Sequence, residues 1–267
     1  GVVVNESIAK LFIAGVIPGL LLAASMMVAV MIWATIRAKD IPPPDPPMSF
    51  GAKLYESRRL IPVVLLIALV LGSIYTGLTT ATEAAVMGVV GALILAMLPG
   101  AFGWSVFVES LMSATRTSAL IALILAGATF LTLSMGFTGL PRALAQWIAT
   151  LGLTKYQLIL ALTVFYIILG CFLDGISMVV LTMAVVEPMV RGVGIDMLWF
   201  GIFMTIVVEA AQITPPVGFN LFVLQGMTGR NVFTIGRYSL PFLFCMVLVV
   251  VSITLWPEIV LWLPSKL

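Results

Sequence analysis

The chain has no histidine, and only 9% of its 267 residues carry charge. Without histidine there is no ordinary neutral-pH acid–base group, no imidazole ligand for zinc and no HExxH metalloprotease motif. Cysteine is almost as scarce. Cys171 and Cys245 each sit inside an apolar run and read as small buried hydrophobes, with no sign of a disulfide framework. Soluble domains devote about a quarter of their residues to charge, so a water-facing surface cannot be built from this composition. The net charge of +2 is too small to imply nucleic acid as a partner. No signal-peptide pattern opens the chain and its first residue is Gly1, so it is expected to be part of a longer polypeptide.

What is present is hydrophobicity: 62% of the residues are apolar. The expected solvent is therefore the lipid bilayer, and the fold class an all-α polytopic membrane protein. A spanning helix needs ~20 apolar residues, which Ile8–Ile36 supplies, with Gly15 and Gly19 as a close-approach pair. The segment 37–59 is a Pro-rich, basic loop with five prolines between Pro42 and Pro47, and Phe50–Leu60 suits a short surface helix. Leu60–Tyr75 and Glu83–Leu98 read as two more spans. The stretch 104–116 places Trp104, Phe107, Val108, Leu111 and Met112 on one face, an interfacial amphipathic helix ahead of the span Ser118–Met135. A second amphipathic pattern covers Leu140–Leu151. The segment 156–190 is too long for a simple span and is interrupted at Gly170–Gly175. The segment 196–226 is interrupted at Thr214-Pro-Pro-Val-Gly218, and Ser239–Leu263 closes the chain as a plain span.

Charge bias tests this segmentation. If 156–190 enters and leaves on one side, the loop bases Arg37, Lys39, Lys53, Arg58 and Arg59 share a side with Arg116, Arg230 and Arg237. Only Lys10, Arg142, Lys155, Arg191 and Lys266 lie opposite. Positive residues concentrate in cytoplasmic loops, so a re-entrant hairpin opening outward and a cytoplasmic 37–59 loop are expected. A crossing at 156–190 erases the bias.

Two helix breaks inside the bilayer need a physical reason, because unpaired backbone groups there cost several kcal/mol. At Gly170-Cys-Phe-Leu-Asp174-Gly175 one half-helix ends in carbonyls and the next begins with N–H groups that Asp174 can cap. Asp174 is the sole carboxylate or base between Tyr156 and Val186, which marks it as a functional candidate. A helix cap solvated at the hairpin tip is the alternative. At Gln212-Ile-Thr-Pro215-Pro216 two residues lack an N–H, so a continued helix orphans the Ala211 and Gln212 carbonyls. Those oxygens, the Thr214 hydroxyl and the Gln212 amide make a hard-oxygen set suited to sodium, and a packing kink is the alternative. Glu209 either faces the same cavity or pairs structurally, Asn220 sits just past the second break, and Thr82 and Glu83 suit a helix N-cap.

These residues resemble a known family. Gly170-Cys-Phe-Leu-Asp174, Ile213-Thr-Pro-Pro-Val-Gly-Phe-Asn-Leu-Phe222 and Thr80-Ala-Thr-Glu-Ala84 look like the large, DctM-like membrane subunit of tripartite ATP-independent periplasmic (TRAP) transporters. The resemblance implies an ion-transporter-type fold of two inverted repeats, of which this chain holds the second. That repeat contributes one re-entrant hairpin (156–190) and one discontinuous transmembrane helix (196–226). It implies a sodium-coupled elevator importer of organic anions such as C4-dicarboxylates, sialic acid or similar sugar acids. The expected partners are a small membrane subunit, a periplasmic binding protein and the lipid bilayer, and the location a bacterial inner membrane. Gly170, Asp174, Thr214, Pro215 and Gly218 fall where that family's sodium site is expected, and Ser177, Gln212 and Asn220 are the candidates to contact substrate. The implied division is 1–135 scaffold, 136–238 transport segment and 239–267 C-terminal helix. The first repeat, with its serine-rich tip and Ile-Pro-Pro-Ser stretch, is not in this chain, so transport by the chain alone is not expected. Other readings are a binding-protein-independent sodium/dicarboxylate carrier and a structural membrane subunit. An aspartyl intramembrane protease needs two embedded aspartates and only Asp174 qualifies, so no enzyme is expected.

Overall fold

The computed structural model describes residues 6–37, 49–98, 102–139, 143, 146–147, 150–215 and 218–266. Every regular element among them is helical. Four helical stretches are long and apolar enough to cross a bilayer: Ile8–Ile36, Trp104–Thr138, Gly175–Gly192 and Val232–Leu255. A bent pair, Phe50–Ser57 with Ile61–Tyr75 at 52°, adds a fifth. The protein is an all-α polytopic membrane protein.

The chain divides into two compact units, residues 34–118 and the remainder. In the first, α3 (Phe50–Ser57) is started by the Ser49 side chain and leads through a 3-10 turn into α4 (Ile61–Tyr75). α4 packs along α5 (Ala81–Met97), with Leu66 lying against Gly91. The N-cap of α5 is Thr80 and not Thr82. Its hydroxyl accepts the Glu83 N–H while Glu83 accepts the Thr80 N–H, a reciprocal capping box. α6 (Trp104–Thr138) is one helix where the sequence suggests an amphipathic helix followed by a span. Arg116-Thr-Ser118 interrupts the apolar pattern but contains no Gly or Pro to stop a helix. Most of the amphipathic pattern at 140–151, and residues 38–48 of the 37–59 loop, lie outside the described residues.

The second unit is organised around α9 (Met197–Gln212), with twelve of its sixteen residues buried and an exposed strip at Thr205 and Glu209. Against it pack α1 (Ile8–Ala14), α7 (Lys155–Leu169), α8 (Gly175–Gly192) and α11 (Val232–Leu255). Lipid tails are as apolar as leucine, so packing and interhelical hydrogen bonds hold these helices together more than water exclusion does. The Trp199 indole N–H donates to the Ile253 carbonyl of α11 at 2.8 Å, and Trp199 and Phe200 both stack on Phe203.

α7 and α8 form a hairpin. Residues 166 and 182 would be ~24 Å apart along a continuous helix, yet the Tyr166 and Thr182 hydroxyls are 2.6 Å apart. The Thr182 hydroxyl donates to the Met178 carbonyl at 2.8 Å, so the tyrosine is the donor of the pair. Tyr166→Phe therefore strands no buried donor. The expected cost is only about 0.6 kcal/mol, the average for such bonds in membrane proteins, read as a small drop in detergent melting temperature.

This unit has two distinct ends. At one, α7 begins, α8 ends, α9 begins and α11 finishes near α12 (Glu258–Leu261). Lys155, Asp196, Trp199, Thr254 and Leu261 line one cavity there. At the other, the final turns of α2 (Val16–Ile36) meet the start of α11, with Trp33 edge-on to Tyr238 at 6.4 Å.

Candidate functional site

Both helix breaks lie at the hairpin-tip level of the second unit, and they meet. α7 ends at Leu169 and α8 starts at Gly175; α9 ends at Gln212 and α10 (Phe219–Thr228) starts with Gly218 as its cap. A Cβ at Gly170 would overlap the Ala211 Cβ and stand 3.0 Å from the Ala211 carbonyl carbon. One at Gly175 would overlap the Gln212 amide nitrogen and stand 2.9 Å from Val208 Cγ1. The tip thus lies directly on the last turn of α9, and glycine is what lets it. Gly218 is enclosed in the same way, against the Gln212 carbonyl oxygen and within 3.0 Å of the Thr214 oxygen.

At the tip, Asp174 is the N-cap of α8. Its Oδ2 accepts the Ile176 and Ser177 N–H groups at 3.1 Å each, and its Oδ1 accepts the Ser177 hydroxyl at 2.5 Å. The capping role is therefore real. It leaves each carboxylate oxygen with further acceptor capacity, so capping and cation binding are compatible. The carbonyls ending α7 are less free than the sequence suggests. Tyr166, Ile168 and Leu169 accept N–H groups from Gly170, Cys171, Phe172 and Leu173 as the chain tightens into the turn.

The α9 break follows the proline argument in part. The Ala211 carbonyl, expected to be orphaned, accepts the Thr214 N–H at 3.3 Å. No N–H among the described residues donates to the Gln212 carbonyl, which faces Gly218. The Thr214 hydroxyl donates back to the Ala210 carbonyl at 2.6 Å and keeps its lone pairs. Pro215 sits against Gly236 of α11, while Pro216 and Val217 lie outside the described residues.

The structure therefore brings Gly170, Gln212, Thr214 and Gly218 together, with Asp174 and Ser177 one and two residues from Gly175 at the same tip. Asn220 is half-buried in the first turn of α10. Glu209 is exposed and does not join the buried group. Gly175 and Ala211 belong to the packed tip although motif reasoning does not select them. The signal for Gly175 is its place just after a capping aspartate, and Ala211 carries none. No group of three or more His, Cys, Asp or Glu placed to hold a metal ion occurs among the described residues. What the site offers is hydroxyl, amide, carboxylate and backbone oxygen, a set that suits hard cations.

The family model described as the DctM component of the tripartite ATP-independent periplasmic transporter matches residues 1–259. The C4-dicarboxylate TRAP transporter large permease protein DctM of Pseudomonas aeruginosa is 32% identical over 264 residues, covering 98% of this chain and 61% of that protein. The sialic acid TRAP transporter large permease protein SiaM of Vibrio cholerae is 29% identical over 268 residues, 99% of this chain and 62% of that protein. The isethionate TRAP transporter permease protein DctMQ of Oleidesulfovibrio alaskensis is 30% identical over 272 residues, 97% of this chain and 41% of that protein. The chain thus spans about three fifths of the length of the large permeases it matches. With nearly every residue inside the family match, the chain belongs to the DctM component family of tripartite ATP-independent periplasmic transporters.

Proposed function

We propose that the chain is the larger part of the membrane subunit of a sodium-coupled importer of organic anions, acting with a small membrane subunit and a periplasmic binding protein in a bacterial inner membrane. The observation that carries this is the meeting of two helix breaks, with Gly170 and Gly175 of the hairpin tip packed on Ala211 and Gln212. Broken helices set carbonyl-bearing C-termini and N–H-bearing N-termini side by side, which is how one site takes both a cation and a carboxylate. Sodium sits among the oxygens at Gly170, Asp174, Thr214, Pro215 and Gly218. The substrate carboxylate meets the start of α8 or α10, beside Ser177, Gln212 and Asn220.

The hairpin is re-entrant in this reading. α7 has 15 residues, so its length is roughly 22 Å, short of the ~30 Å hydrocarbon core. α8 is longer, but Glu187, Pro188 and Arg191 occupy its last turns and leave Ile176–Val186 as its apolar part. With the hairpin re-entrant, Arg237 near the start of α11 lies at the end of this unit that Trp33 also reaches, and Lys155 and Arg191 lie at the opposite end. The bias of positive residues in the sequence, with 37–59 and Arg237 on one side, makes that end cytoplasmic in this reading. The hairpin and the broken helix then move together as the elevator segment, 136–238, against the rest. Net inward movement of positive charge gains ~2.3 kcal/mol per charge per 100 mV, enough to concentrate an anion.

The test is Asp174→Asn in the full-length subunit, reconstituted with its partners in proteoliposomes. Asparagine preserves the helix cap and removes only the charge. Sodium-driven uptake is expected to fall at least about tenfold, the scale of one charge-assisted hydrogen bond, with folding intact. Uptake unchanged in rate and in sodium dependence would sink the assignment of sodium to this tip. The relatives' names as TRAP permeases favour this reading over a binding-protein-independent carrier. Uptake that persists without the soluble binding protein would favour the carrier.

A further inference from the structure

At the far end of the second unit from the helix breaks lies a cavity of about 200 Å³, between the starts of α7 and α9 and the end of α11. Lys155, Tyr156, Asp196, Trp199, Thr254 and Leu261 are among the residues that line it. Neither charge is spent on the other, since among the described residues no ion pair joins Lys155 to Asp196. The ammonium of Lys155 stands 5.0 Å from the centre of the Tyr156 ring. Asp196 caps α9 through Oδ1 alone, which accepts the Leu198 and Trp199 N–H groups at 2.8 and 3.0 Å. Among the described residues Oδ2 has no donor. The Trp199 indole N–H is committed to Ile253 and the Thr254 hydroxyl to Val250, so the remaining walls are apolar in character.

This end also carries the marks of a bilayer boundary. Tyr156, Trp256 and Trp262 are exposed here, just where the apolar helices begin or end. Such aromatic residues settle at headgroup level. A niche at that depth with one cation, one carboxylate and apolar walls matches an ammonium–phosphate headgroup with the first carbons of its chains. A purely anionic head finds Asp196 opposing it. A head with a quaternary ammonium cannot donate a hydrogen bond to Oδ2.

We propose that this cavity is a binding site for a phosphatidylethanolamine-type phospholipid, its primary ammonium on Asp196 and its phosphate on Lys155. The site is separate from the transport reading and stands whether or not sodium binds at the hairpin tip.

The experiment takes the full chain reconstituted in vesicles of equal parts phosphatidylethanolamine, phosphatidylglycerol and phosphatidylcholine. The protein is extracted in mild detergent and its retained lipids are read by native mass spectrometry. Phosphatidylethanolamine is expected to be retained over both others. Lys155→Ala and Asp196→Asn are each expected to lower its retention about tenfold, the scale of one charge-assisted hydrogen bond. Asparagine keeps the α9 cap, and Lys155 is exposed at the start of α7, so either variant reads the site if the other folds poorly. Equal retention of phosphatidylglycerol, or variants that retain phosphatidylethanolamine as the parent does, overturns the proposal. Water-soluble phosphoethanolamine that displaces the lipid at matched concentration overturns the membrane source of the ligand.

Discussion

Gly218→Ala is expected to disable the protein more than any other single-methyl change at the site. The added carbon meets backbone: the Gln212 carbonyl oxygen, the Gln212 carbonyl carbon at 2.7 Å and the Thr214 oxygen at 3.0 Å. A flexible side chain can step aside, but three backbone atoms of the same break cannot move without reshaping it. Overpacking in tight interiors costs roughly 1–3 kcal/mol, and the rigid partners put this site at the upper end. The displaced group is also the carbonyl without an N–H donor among the described residues, so sodium affinity should fall with stability. The measurement is thermal stability of the full-length subunit with and without sodium. Two criteria apply: a lower melting temperature, and a smaller shift on adding sodium. If alanine left both unchanged, Gly218 would not be enclosed by the Gln212 carbonyl.

Gly170→Val is the second large effect, and it separates the tip packing from the break itself. Valine at 170 has to displace Ala211, whose Cβ, Cα and carbonyl carbon all crowd the added carbon. The expected outcome is a hairpin lifted off α9, a destabilisation of about 1–3 kcal/mol and no sodium-driven uptake by the full-length subunit with its partners. Gly192→Ala, at the other end of α8, is the control, because nothing lies within 4 Å of the carbon it adds. That variant should match the parent in both assays. A valine variant that transports normally would mean that the two breaks do not need each other, and the proposed site would be without its central feature.

Much of this is legible from residue chemistry, unevenly. Asp174 announces its cap by type and place. The sequence shows 196–226 only as a long interrupted apolar stretch, and that α9 is central and capped by Asp196 emerges from the fold. Pro215 and Pro216 announce a break because each lacks an N–H, which holds whatever the neighbours are. What stays hidden depends on neighbours. Counting donors along the chain cannot show that the Thr214 N–H reaches Ala211, nor that the tip tightens and consumes the α7 carbonyls. Ala211 looks like any helical alanine until Gly170 is laid on it. Glu209, close to the break by count, is exposed because helical phase and not proximity decides its side. α6 reads as two pieces because an Arg-Thr-Ser interruption alters polarity without altering backbone preference.

The encasement of α9 has a biosynthetic corollary. Its indole Trp199 waits for the carbonyl of Ile253, made 54 residues later. A nascent chain therefore threads its most deeply enclosed helix into the bilayer well before the flank that shields it exists. Until α11 emerges, that side of α9 is provisionally wrapped by lipid. On that side the enclosure of α9 is complete only once α11 has arrived, like a drawer pushed shut late.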